Sequence, residues 1–191
     1  MTKRIAEYPI NPIILNRWSP RAMSGKPIAH EELMSLFEAG RWAPSSYNNQ
    51  PWYFVYALRT SSTFSTWLDL LVEFNQEWCK KAGALVATIS RNNFHYNNKP
   101  SRTHAFDTGA ACENIALQGT SMGLVIHSME GLDYDRTARY LKIPADYTLH
   151  MIFAVGKPGK KEDLPEKMQK DEQPNDRKKT ETFVFENFFK Q

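Results

Sequence analysis

Two arginines and a serine at alternate positions, Arg17, Ser19 and Arg21, form the first group of side chains able to do chemistry. In an extended backbone, residues two apart share a face, so the three can converge. Two guanidinium forks and a hydroxyl suit a phosphate together with a second electron-rich edge. A solvated loop with two surface arginines is the plainer alternative. The second group lies in Pro44-Ser45-Ser46-Tyr47-Asn48-Asn49-Gln50-Pro51-Trp52, where hydroxyls and amides are held between two prolines and lead into an aromatic run. Such side chains offer donors and acceptors together, as the edge of a heterocycle requires. An Asn-rich turn is the alternative here, and the length and paired prolines count against it. The third group, His127-Ser128-Met129-Glu130-Gly131, ends in a glycine that permits close backbone approach, which suits a main-chain amide aimed at a ligand. Turns of that kind are common, so this segment says little by itself.

These groups need elements to hold them. Asn11-Pro12 predicts a capped first helix through Leu15, stopped by Trp18-Ser19-Pro20 because a residue before proline is pushed out of helical geometry. A second helix is expected over Ala29–Arg41, with Leu33, Leu36 and Phe37 on one face. Trp52–Ala57 reads as a strand, Ser61–Trp78 as one helix, Ala84–Ile89 as a buried strand and Arg91–Arg102 as a loop. A long helix over Thr103–Met122 is rich in small residues, among them Ala105, Gly109, Ala110, Ala111, Ala116 and Gly119, which allow a second helix to approach closely. A strand at Leu124–His127, a helix at Tyr134–Leu141 and a strand at Leu149–Val155 follow. Helices interleaved with four strands predict a single α+β domain over residues 1–191. Within it, 157–191 is a highly charged arm tipped with Phe183, Phe185, Phe188 and Phe189, expected to run over the surface and dock elsewhere.

Composition narrows the function classes. With 41% hydrophobic and 24% charged residues, the 191-residue chain is neither largely disordered nor a coiled coil. Its 24 basic residues nearly match 21 acidic ones, so the net charge of +3 points to neither nucleic acid nor a membrane surface. No apolar run approaches a membrane span, and Met1–Glu7 lacks a signal-like apolar stretch, so a cytoplasmic location is expected. Cys79 and Cys112 stand apart from any CxxC pattern, and His95, His104 and His127 match no metal-ligand spacing. Aromatic residues are abundant, at 13% with five Trp and eleven Phe, and serve cores, interfaces or flat ligands equally well. A triad, a catalytic carboxylate pair and a GxGxxG loop are all missing, so the chemistry must lie elsewhere.

Taken in order and spacing, the three segments resemble the nitroreductase family of FMN-dependent oxidoreductases, from Arg17 to about Val184. Arg17-Trp18-Ser19-Pro20-Arg21 is similar to the family's N-terminal phosphate motif, and Ala43 to Trp52 to its most specific signature. The helix from His104 to Met122 resembles its central dimer helix. The resemblance implies a mostly antiparallel sheet flanked by helices, in an intertwined homodimer with two FMN sites at the interface and the C-terminal arm wrapping the partner. Arg17, Trp18 and Ser19 would hold the phosphate and ribityl region, and Arg21 the pyrimidine side. Pro44, Ser45, Ser46, Asn48 and Gln50 would reach the flavin from the partner. Asn75 would bond the pyrimidine edge, while Ser128, Met129, Glu130 and Gly131 would lie near N5 through backbone groups. Arg177 matches a second phosphate-binding arginine, with Lys178 and Lys179 as neighbouring candidates. Two departures stand out: Trp78 occupies a position where some members have lysine, and Lys179 one where proline is usual. The implied activity is hydride transfer from NADH or NADPH, through flavin N5, to nitroaromatic, quinone or enone-like acceptors in a ping-pong cycle. Alternatives are an FMN carrier or redox sensor without turnover, and an offshoot with other flavin chemistry such as dehalogenation.

Overall fold

The computed structural model describes residues 4–190. Helix α1 (Pro12–Asn16) is capped by Asn11, whose side chain accepts the Ile13 N–H at 3.0 Å. Pro12 sits in the first turn, where its missing N–H costs nothing. The helix ends at Arg17, already extended, so the phosphate-motif segment leaves it earlier than Pro20 alone would require. Helix α2 (His30–Arg41) buries Leu33 and Leu36, and the Glu32 carboxylate accepts the Ala29 N–H at 2.8 Å at its start.

The single helix expected over Ser61–Trp78 is in fact two, α3 (Phe64–Leu68) and α4 (Glu73–Cys79). The break has a tertiary cause. Leu70 and Leu71 are both buried, Leu71 pairs with Leu132 as an isolated bridge, and the Val72 N–H donates to the Gly131 carbonyl at 3.0 Å. Those contacts need an extended backbone at Val72, and helical periodicity carries no trace of them.

Strands β1 (Trp52–Leu58), β2 (Ala84–Arg91), β3 (Val125–Met129) and β4 (Tyr147–Gly156) form one sheet in the order β1-β2-β4-β3, antiparallel throughout. Strand β2 is buried along nearly its whole length, because both faces of the sheet are covered. On one face Ala84, Val86, Phe153 and Val155 meet α2 and α5 (His104–Ser121) through Leu33, Leu36 and Ile115. On the other, Leu85, Ala87, Ile152 and Ala154 meet Trp67, Leu71, Trp78 and Cys79 of the α3–α4 layer. Small residues make the first layer possible. A Cβ at Gly119 would lie 2.4 Å from Ile126 Cγ1, and one at Gly40 3.1 Å from the Ile115 side chain. Helix α6 (Tyr134–Tyr140) precedes β4.

The arm does not simply wander. Its first half, including α7 (Glu166–Gln169), packs Leu164 and Met168 into the second core. Its tip is different: Phe183, Phe188 and Phe189 remain exposed on the single chain.

Candidate functional site

The sequence-predicted residues gather in three places. In the first, Arg17 Nη1 donates to Ser19 Oγ at 3.3 Å. Arg17 and Arg177 line one cleft of about 670 Å³ together with Arg4, Lys178, Lys179 and Glu113. The Arg17 Nε lies 3.6 Å from Glu113 of α5, so the cleft holds basic charge only partly balanced. Arg177 is aimed by Asn175, whose Oδ1 accepts its Nη1 at 2.9 Å. Trp18, between Arg17 and Ser19 in the chain, is half-buried.

Arg21 does not join them. It belongs to a second cleft lined also by Glu77, Trp78 and Lys81, and its guanidinium carbon lies 5.7 Å from the centre of the Phe74 ring. The expected shared face of Arg17, Ser19 and Arg21 therefore holds for two of the three. The cause is backbone pinning: the buried Glu172 carboxylate, 8% exposed, accepts the N–H groups of both Arg21 and Ala22 at 2.8 Å. Beside Arg21, Asn75 Nδ2 donates to the Gly131 carbonyl at 3.0 Å and Asn75 Oδ1 accepts from Trp78 Nε1 at 3.3 Å. Gly131 is required here, since a Cβ would fall 2.6 Å from Asn75 Nδ2. Trp78 is fully buried, and its ring lies 4.5 Å from that of His127 at a 47° tilt; the His127 ring bonds the Pro20 carbonyl. Burial first, and then the Arg21 charge, push His127 down to about 4. Ser128 and Glu130 are exposed, whereas the Met129 side chain points into the core with its sulfur 3.4 Å from Cys79 Sγ.

The third place is the loop 43–51. Tyr47, Asn48 and Gln50 all have φ near +50°, a left-handed geometry rare outside glycine. Among the described residues, its anchors are on α5 and the 91–102 loop. Buried Asp107, 4% exposed, accepts the Ser46 N–H at 3.1 Å, and Asn49 Oδ1 accepts the His95 N–H at 2.8 Å. Ser45 Oγ accepts the Gln50 N–H at 3.0 Å, and Gln50 Nε2 donates to the Asn48 carbonyl at 3.1 Å. Pro44, Asn48 and Gln50 are exposed, and this loop lines neither cleft.

Sequence reasoning missed Arg4, Asp107 and Glu172, whose partners lie as far as 171, 61 and 151 positions away. It also missed a polar cluster in which Ser90 Oγ lies 2.7 Å from His104 Nδ1 and 2.6 Å from His150 Nε2. His150 sits where the β2–β4 register slips, which turns it toward Ser90, and burial lowers its pKa. Among the described residues, no group of three His, Cys, Asp or Glu side chains is arranged to hold a metal.

An antiparallel sheet between two helical layers carries a basic cleft where α1 ends and a second, smaller cleft at Arg21. A sequence model of the nitroreductase family matches residues 14–64 and 59–157. The chain belongs to that family. It is 30% identical over 166 residues to Protein DrgA of Synechocystis, covering 72% of this chain and 77% of that protein. Over 60 residues it is 38% identical to an oxygen-insensitive NADPH nitroreductase of Helicobacter acinonychis, a match covering 31% of this chain and 28% of that protein. Among solved structures, an oxidoreductase containing FMN superposes with a TM-score of 0.94 at 39% identity, covering 100% of this chain and 99% of that one. No helix among the described residues is long and apolar enough to cross a membrane.

Proposed function

We propose that this protein is a cytoplasmic FMN-dependent oxidoreductase that takes hydride from NADH or NADPH and passes it to nitroaromatic, quinone or enone-like acceptors. The observation that carries this reading is the convergence of Arg17 and Arg177 on one cleft, with a hydroxyl at Ser19, where Arg4, Lys178 and Lys179 add positive charge and the acidic side chains are Glu7, Glu113 and Asp176. That donor set fits the terminal phosphate of FMN, because guanidinium groups bind phosphate oxygens in pairs. Bound there, FMN would accept a hydride at N5 and release it to a second substrate in a separate half-reaction.

The remaining residues have roles that follow from their placement. Asn75 keeps one N–H and one lone pair free after bonding Gly131 and Trp78, enough for a complementary ring edge. Arg21, held by Glu172 through the backbone, offers positive charge on the pyrimidine side, where negative charge grows on reduction. The backbone of Ser128 to Gly131 would border the reacting edge. The loop 44–50 would complete the site of a second copy of the chain, with the C-terminal arm reaching across a homodimer; its anchoring away from both clefts of its own chain supports this.

The absorbance spectrum of the purified protein tests the reading. A yellow protein that bleaches on adding NADH or NADPH, and recovers with a nitroaromatic or quinone, is the expected result. A protein that is yellow but never bleaches would be a carrier or sensor instead. One that takes up no flavin after refolding with excess FMN would overturn the proposal.

A further inference from the structure

One side chain joins the two segments that supply the arginines of the basic cleft. Arg4 Nη1 donates to the Leu15 carbonyl at 3.0 Å and to the Arg17 carbonyl at 2.7 Å. The first of these is a carbonyl in the last turn of α1, left without a partner inside the helix. On its other side, Arg4 Nε donates to the Asn175 carbonyl at 2.8 Å, and Nη2 lies 3.4 Å from Asn175 Oδ1. That same Oδ1 accepts Arg177 Nη1 at 2.9 Å. One guanidinium thus spans from the backbone of Arg17 to the residue that aims Arg177. Its four bonds leave one N–H at most, so Arg4 sets geometry more than it binds ligand.

We infer that Arg4 is a positioning residue for the phosphate end of the cofactor site, holding Arg17 and Arg177 at the separation a phosphate monoester requires; this rests on the FMN reading above. Local charge agrees with the role. Burial, and then the like charges of Arg177 and Arg17, lower the hold of Arg4 on its proton. Three guanidinium groups crowded in this way repel one another, and a doubly charged phosphate in the cleft offsets that repulsion. The N-terminal segment carrying Arg4 is tied to the arm a second time, where the Glu7 carboxylate accepts the Thr180 N–H at 2.8 Å. The clasp therefore joins two stretches of chain at two points.

The discriminating measurement is the affinity for FMN compared with riboflavin, which lacks the phosphate, followed by flavin fluorescence. It is made on wild type, Arg4→Gln and Asn175→Ala, with the apoprotein Tm of each recorded. Arg4→Gln should weaken FMN about tenfold or more, as expected when charge-assisted contacts lose alignment, while riboflavin affinity stays within about twofold. Asn175→Ala should show the same selective loss, and the double variant less than the sum, because both changes open one clasp. Equal losses for the two flavins, or FMN affinity unchanged in Arg4→Gln, would overturn the assignment. Should Arg4→Gln fail to fold, Asn175→Ala decides on the same criteria. A wild type that binds neither flavin would overturn the cofactor reading itself, whereas wild-type FMN binding with unchanged variants would overturn only the role of Arg4.

Discussion

Asn75 commits both ends of its carboxamide to the protein, one to Gly131 and one to Trp78, so its orientation is set before any ligand arrives. Preorganisation of this kind separates the roles of the two motif arginines. Arg17 lines the basic cleft proposed to take the phosphate, and Arg17→Ala should weaken FMN binding about 10- to 100-fold, the range for a lost charge-assisted hydrogen bond. Arg21 sits beside Phe74 and Trp78, and Arg21→Ala should bind FMN nearly as well but lower the flavin's reduction potential. Equal potentials in wild type and Arg21→Ala, by spectroelectrochemistry, would remove that role. His127 provides a pH test with a definite sign. Its folded-state pKa of about 4 lies below the ordinary value of 6.5, so the unfolded chain binds more protons between those values. Stability is full above about pH 6.5 and falls toward pH 4, by up to about 3 kcal/mol. Urea midpoints from pH 7 to 4 should show that decline, and His127→Gln should flatten it. The Arg17–Ser19 contact was legible because alternate positions of an extended segment share a face, whereas Asn75 was singled out by the family resemblance alone. Arg4 and Glu172 were not legible, since what each holds together includes a segment more than a hundred positions away.

At the scale of elements, most strands and helices follow from local signals. Asn11-Pro12 starts α1 as expected, and four strands appear where apolar runs place them. The failure at Ser61–Trp78 is instructive, because the pairing of Leu71 with Leu132 and of Val72 with Gly131 breaks the helix. That break delivers Asn75 to Gly131. Between elements, Asp107 is the main tie of the 43–51 loop to α5, accepting both the Ser46 N–H and the Thr103 hydroxyl at 3.1 Å. Asp107→Ala leaves those donors unpaired and should cost about 1–3 kcal/mol, with loss of turnover beyond the loss of fold. Asp107→Asn, which retains an acceptor oxygen, should restore most of both. Activity in Asp107→Ala equal to wild type, measured well below its Tm, would show that the loop needs no such anchor.

For the whole molecule, α5 presents an outer face that its own chain leaves bare. Phe106 on that face is 80% exposed, and a Cβ at Gly109 would meet nothing within 4 Å. Gly109→Leu should therefore leave the chain's fold intact, and even favour the helix by about 0.5–1 kcal/mol. A second copy packed on α5 would have no room for it. Sedimentation should find the wild type dimeric and Gly109→Leu monomeric; a variant as dimeric as wild type would place the interface elsewhere.

The separation of the 43–51 loop from both clefts of its own chain has a genetic consequence. In a dimer where each loop serves the opposite chain, a subunit with a ruined loop and one with a ruined Arg17 cleft are defective in different halves of the site. Alone, each would be inactive. Expressed together, they would pair at random, half the dimers would be mixed, and each mixed dimer would contain one wholly intact site. Two null alleles would then complement one another to roughly a quarter of the wild-type sites, as two-fold symmetry requires.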